Sequence, residues 1–137
     1  MLKNKRENNC YTYFSITGDF DPDVVSQMLE LLPFDSWKKG DMGEYGKKHL
    51  ISGWEFGKCV KYDFLTANQI KQTISPLISK IDVLKKIKQE YDVEFSLNIV
   101  PEIYLNNSTP ALAPDLDVID FCHETRTKID IDLYINK

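Results

Sequence analysis

Tyrosines and carboxylates recur in this chain at every second residue, and that spacing decides what chemistry they can do. Tyr11 and Tyr13 stand near the start, Asp130, Asp132 and Tyr134 near the end, and Glu94 belongs to an alternating run between them. Alternate residues of a β-strand share a face, so these side chains are expected on one water-facing side of a sheet. Paired carboxylates serve as acid and base only where their surroundings drive their pKa values apart. An open sheet offers Asp130 and Asp132 no such enclosure. Tyrosine interleaved with carboxylate suits a protein interface, above all with a basic partner. The plainer reading is a solvated face whose tyrosines shield the backbone.

A second group lies in residues 33–49, PFDSWKKGDMGEYGKKH, where no hydrophobic period holds. A long loop is expected there, and long loops in compact domains tend to be functional or mobile. Trp37, Asp41 and Tyr45 make it a candidate small-molecule or enzyme site between loop and sheet. Gly40, Gly43 and Gly46 before Lys47-Lys48 invite a phosphate-cradle reading, but the spacing is not that of a P-loop and no hydroxyl follows the lysine. Trp37 is either an interface anchor or a cap on the core; Trp54 falls on a strand face and belongs inside.

Other chemistry finds little footing. His49 and His123 are far apart, and Cys122 and His123, as neighbours on a helix, diverge by about 100°. Paired zinc ligands at short fixed spacings are absent. Cys10, Cys59 and Cys122 read as buried inert thiols, odd in number and widely spaced, which points to a reducing cytosol and a cytoplasmic protein. No catalytic residue, metal site or cofactor is expected.

Strands, helices and turns must present these residues. The 137-residue chain, with net charge −4, 42% hydrophobic residues and pI about 5.2, reads as one domain with a frayed lead-in over residues 1–9. That charge gives no general affinity for nucleic acid or anionic membrane. No secretory signal or spanning apolar run is seen, and no internal repeat. Tyr11–Ile16 alternates as a strand. Asp21 and Pro22 then open a helix with Val25, Met28, Leu29 and Leu32 as its stripe, ended by Pro33. Leu50–Phe56 is the next strand, with Leu50, Ser52, Trp54 and Phe56 on one face; Gly57-Lys58 is a candidate hairpin turn into Cys59–Tyr62. From Thr66 or Asn68, a stripe of Ile70, Ile74, Leu77, Ile81, Leu84, Ile87 and Tyr91 predicts a long helix. Pro76 either kinks it or, capped by Ser75, starts a second one. Val93–Val100 is a strand that Pro101 ends or that resumes past a bulge. Pro114 starts a helix with Val118, Ile119 and Cys122 inward. Lys128–Asn136 closes the chain, Ile129, Ile131, Leu133 and Ile135 facing a core. One buried and one wet face favour an α+β fold: a four- to five-stranded, mostly antiparallel or mixed sheet with helices packed on one face.

Tyr13-Phe14-Ser15-Ile16 with Gly18-Asp19-Phe20-Asp21-Pro22, Leu32-Pro33, Lys39-Gly40-Asp41, Trp54 and Ile129-Asp130-Ile131-Asp132-Leu133-Tyr134 together resemble the bacterial "domain of unknown function 4279" family over nearly the whole chain. The resemblance implies a small bacterial cytosolic protein with no established activity and no catalytic residues to carry over. Some related small families are encoded beside toxins as immunity proteins. The leading expectation is therefore a non-enzymatic protein-binding module, of immunity type against a toxin, and a homo-oligomer through a sheet edge is a further expectation.

Overall fold

The computed structural model describes residues 7–137. Its first strand, β1 (Asn9–Asp19), turns at Phe20 into α1 (Pro22–Leu29), with the Asp21 carboxylate accepting from the Asp23 amide at 2.9 Å. Asn8 is buried and donates to the Ser108 carbonyl, and Asn9 opens β1, so neither is the frayed lead-in expected over residues 1–9, of which residues 1–6 lie outside the described ones. Val25 and Leu29 are fully buried. The helix ends at Leu29, not at Pro33: Glu30 takes a left-handed φ of 56° as its C-cap, which throws Leu32 out into solvent.

The 33–49 segment is not loop throughout. It contains the short edge strand β2 (Asp35–Trp37), paired to β3 (Ser52–Cys59), and a 3-10 turn over Glu44–Gly46. Leu50 lies outside β3 and is exposed, while Ser52, Trp54 and Phe56 are buried as expected. No hairpin forms at Gly57-Lys58. The strand runs on to Cys59 through a bulge, seen as the register step from Phe14–Phe56 to Thr12–Cys59. Gly57, at φ 71°, supplies the left-handed bulge residue, and its carbonyl accepts from the Thr73 hydroxyl at 2.8 Å.

α2 (Thr66–Ile78) and α3 (Ile81–Glu90) are separate helices. The break falls at Ser79–Lys80, and Pro76 sits inside the last turn of α2 rather than opening α3. Pro76 has no N–H to give to Gln72, and α2 ends two residues later, so the lost bond disturbs only its last turn. β4 (Asp92–Tyr104) continues straight through Pro101 in unbroken register with β1. α4 (Leu116–Thr125) follows the N-cap Asp115, two residues later than Pro114 would begin it; Phe121 is buried in it, while Ile119 is exposed.

The closing segment is two strands, β5 (Thr127–Ile131) and β6 (Tyr134–Asn136), both parallel to β4. The resulting sheet is six-stranded and mixed, in the order β2-β3-β1-β4-β5 with β6 also on β4. The α+β architecture is as expected. Phe14, Ile16, Trp54, Phe95, Leu97 and Ile99 meet Val25, Leu29, Ile70, Ile74, Leu84, Ile87 and Phe121 in one core, which puts all four helices on one side. Fully burying each such side chain contributes roughly 1.5–3 kcal/mol. The expectation fails for the closing isoleucines. Ile129, Ile131, Leu133 and Ile135 are not sealed beneath helices but are 38–59% exposed. β5 and β6 lie at the sheet's margin, which α4 covers only in part.

Candidate protein interface

The side of the sheet without helices collects the tyrosines and carboxylates. Register places Tyr11 and Tyr13 of β1 beside Val100 and Asn98 of β4, Asp130 of β5 beside Asn98, and Tyr134 of β6 beside Glu102. Glu55 lies beside Ser15 and Asp35 beside Glu55 on the far flank. Tyr11, Tyr13, Asp130, Asp132 and Tyr134 thus form one cluster. Glu94 shares the face but stands nearer its other end, opposite Thr17, where Lys128 reaches it at 3.7 Å.

Local contacts fix the cluster's shape. The Tyr11 and Tyr13 rings stack with centroids 6.1 Å apart, and Phe34 meets Tyr13 edge-on at 5.9 Å. The Lys58 ammonium lies 4.9 Å from the Tyr11 centroid and 5.7 Å from that of Phe34, a cation–π arrangement. The Tyr134 hydroxyl donates to Asp132 at 3.1 Å. Beneath them, Asn98 donates to the Ser15 hydroxyl and accepts from that of Ser96, both at 3.0 Å. Burial, then the charges of Glu55, Asp130 and Asp132 among its neighbours, pushes the Tyr13 phenol up to about 12. Burial also raises the Glu55 carboxyl, helped by Asp35 and opposed by Lys58. Tyr134 is raised first by its hydrogen bond to Asp132.

At the edge of the cluster is a hollow of about 250 Å³ lined by Asn9, Tyr11, Val100, Glu102 and Tyr134. Two phenol rings wall it and a carboxylate sits in it. Glu102 Oε1 already accepts from Tyr104 at 2.7 Å and Asn136 at 3.0 Å, which holds the carboxylate in place and, among the described residues, leaves its second oxygen to a ligand. Phe34, Lys58 and Glu102 escaped the sequence reading. The β3 bulge that turns Lys58 toward Tyr11 leaves no mark on alternation, and Glu102 follows a proline that reads either as a strand end or as a bulge.

The loop group divides. Trp37 and Asp41, with His49, line a separate hollow of about 670 Å³, whereas Tyr45 does not line it and is 94% exposed. Trp37 stacks on His49 at 4.9 Å and donates to the Ile51 carbonyl at 3.1 Å, and the Asp41 carboxylate accepts from the Lys38 amide at 2.9 Å. These bonds brace the loop itself. Among the described residues no cluster of His, Cys, Asp and Glu is placed to hold a metal. All three cysteines are buried free thiols, and burial raises Cys10 and Cys122 to about 11. Among the described residues no helix is long and apolar enough to cross a membrane.

The family model described as domain of unknown function (DUF4279) matches residues 8–136. No curated protein and no solved structure matches the chain.

Proposed function

Because the chain belongs to the DUF4279 family, whose description assigns no activity, we propose its function from the open sheet face: a non-enzymatic module that binds a basic protein there. The hollow between Tyr11, Glu102 and Tyr134 carries this reading. Aromatic faces attract a cation through the ring quadrupole, and a carboxylate beside them adds a charge-assisted bond. An arginine or lysine of the partner is the group that fits. Asp130 and Asp132 near the hollow, with Glu55 and Asp35 on the far flank of the same face, set a negative field that steers a basic surface and speeds its encounter. Tyr11, Tyr13 and Phe34 supply rigid aromatic area of the kind that dominates binding energy at interfaces.

The finer reading is an immunity-type role in the bacterial cytosol, the masked partner being a toxin with a basic surface. Its support is the family likeness together with the acidity of the face. The rival small-molecule site by Trp37 and Asp41 has a hollow of the right size but polar groups already engaged within the loop. The experiment is to recover partners from the native host with the wild-type chain and with Tyr11→Ser/Asp132→Asn/Tyr134→Ser. A basic protein retained by the former and released by the folded variant is the expected result; equal retention refutes the reading.

A further inference from the structure

At the opposite end of the sheet from β2, the outer edge of β5 has no strand beside it among the described residues. The Asp132 amide donates to the Ile99 carbonyl of β4 at 2.9 Å. Backbone groups of alternate residues point to opposite sides of a strand, so Lys128, Asp130 and Asp132 turn theirs toward β4. Those of Thr127, Ile129 and Ile131 point outward and have no strand to bond among the described residues, the arrangement that invites another strand. On the helix side of this edge, Ile119, Ile129, Ile131 and Leu133 are 46%, 38%, 44% and 46% exposed. A hollow of about 410 Å³ opens there, lined in part by Ile119, Cys122, Thr127 and Ile129.

We infer that this edge pairs antiparallel with β5 of a second copy of the chain, about a two-fold axis at Ile129. The charges along the strand select both the occupant and the register. Outward-facing residues must oppose one another, which leaves only registers that pair Thr127, Ile129 and Ile131 among themselves. Centring the axis on Lys128 sets Lys128 against Lys128, and centring it on Asp130 sets Asp130 against Asp130; like charges directly opposite are destabilising. An axis at Thr127 opposes Arg126 to Lys128, and one at Ile131 opposes Asp130 to Asp132. Only the axis at Ile129 sets Lys128 against Asp130 of the other copy, twice over by symmetry. It also sets Ile131 of the second copy opposite Thr127, on the side where the hollow lies. A self-complementary strand of this kind needs no other protein to satisfy it. Opposed residues share a face, so the two open faces lie on the same side of one continuous sheet. The inference stands independently of what those faces bind.

The test is the mass of the intact chain in solution, by sedimentation equilibrium over the micromolar range. A dimer is expected. Lys128→Asp or Asp130→Lys alone opposes like charges at both symmetry-related pairs and is expected to weaken the dimer about tenfold or more. The double swap Lys128→Asp/Asp130→Lys restores it, which a folding defect would not do. Ile129→Cys should cross-link as a dimer with a short bis-maleimide, because hydrogen-bonded antiparallel pairs stand about 5.5 Å apart at Cα, within reach of such a linker. A monomeric wild type, single swaps that leave the dimer intact, a double swap that fails to restore it, or an Ile129→Cys chain that stays monomeric would each overturn the inference. A wild type that gains mass only with a different protein overturns it too, and gives the edge to that protein.

Discussion

Tyr13 owes its properties to what surrounds it. Its phenol, ordinarily near 10.0, is pushed to about 12 by burial and by the carboxylates across the sheet. The folded chain therefore holds that proton more tightly than the unfolded chain does. The associated stability is fully present below pH 10 and is lost as pH rises from about 10 to 12. Cys10 and Cys122 act with the same sign between 9.0 and about 11. Urea midpoints are expected to fall steadily above pH 9, and Tyr13→Phe to lessen the loss above pH 10. A flat alkaline limb would contradict this. Gly53 makes a second case: a Cβ there would run into the Trp37 ring. Gly53→Ala is expected to cost about 1–3 kcal/mol, as overpacking does, and to shift tryptophan fluorescence; unchanged emission would mean that the ring is not held there. Strand period alone brought Tyr11, Tyr13, Asp130, Asp132 and Tyr134 to one face. It could not find Lys58 or Phe34, whose places depend on a bulge and on an unforeseen edge strand.

Elements were legible where local chemistry admits one structure and obscure where it admits two. Asp21 and Pro22 are such a fixed point, and Asp21→Ala is expected to lower stability by about 0.5–2 kcal/mol, measured by chemical denaturation. A null effect would mean that the cap bond to Asp23 contributes nothing. Gly57-Lys58 is the ambiguous case. A glycine with positive φ serves a hairpin or a bulge equally well, and only pairing with β1 on one side and Thr73 on the other decides for the bulge. Gly57→Ala would bring its Cβ against the Thr73 carbonyl in a left-handed backbone. It is expected to destabilise by about 1–2 kcal/mol from the backbone alone; a neutral outcome would show that the bulge can relax. The closing strands teach a different lesson. Alternation tells which side chains share a face but not whether a helix covers that face. Ile129 and Ile131 stand beside Leu97 and Ile99 on the helix side and still meet water, because α4 covers this margin of the sheet only in part.

For the molecule as a whole, an acidic aromatic face lies opposite a core closed by four helices, and an unpaired apolar edge bounds both. The layered arrangement follows from hydrophobic patterning and was readable in outline. Strand order was not, since the chain pairs β4 with β1, β5 and β6 through contacts far apart in sequence. On the proposed reading the open face binds a basic protein through the hollow at Tyr11, Glu102 and Tyr134. The most direct measurement is the affinity of the partner recovered from the host for the wild type and for Tyr11→Ser/Asp132→Asn/Tyr134→Ser, at low and at raised salt. The expected result is tight, salt-sensitive binding to the wild type that falls at least about tenfold, the equivalent of 1.4 kcal/mol, in a variant that still unfolds cooperatively. Equal affinity for both chains, with no dependence on salt, would contradict it.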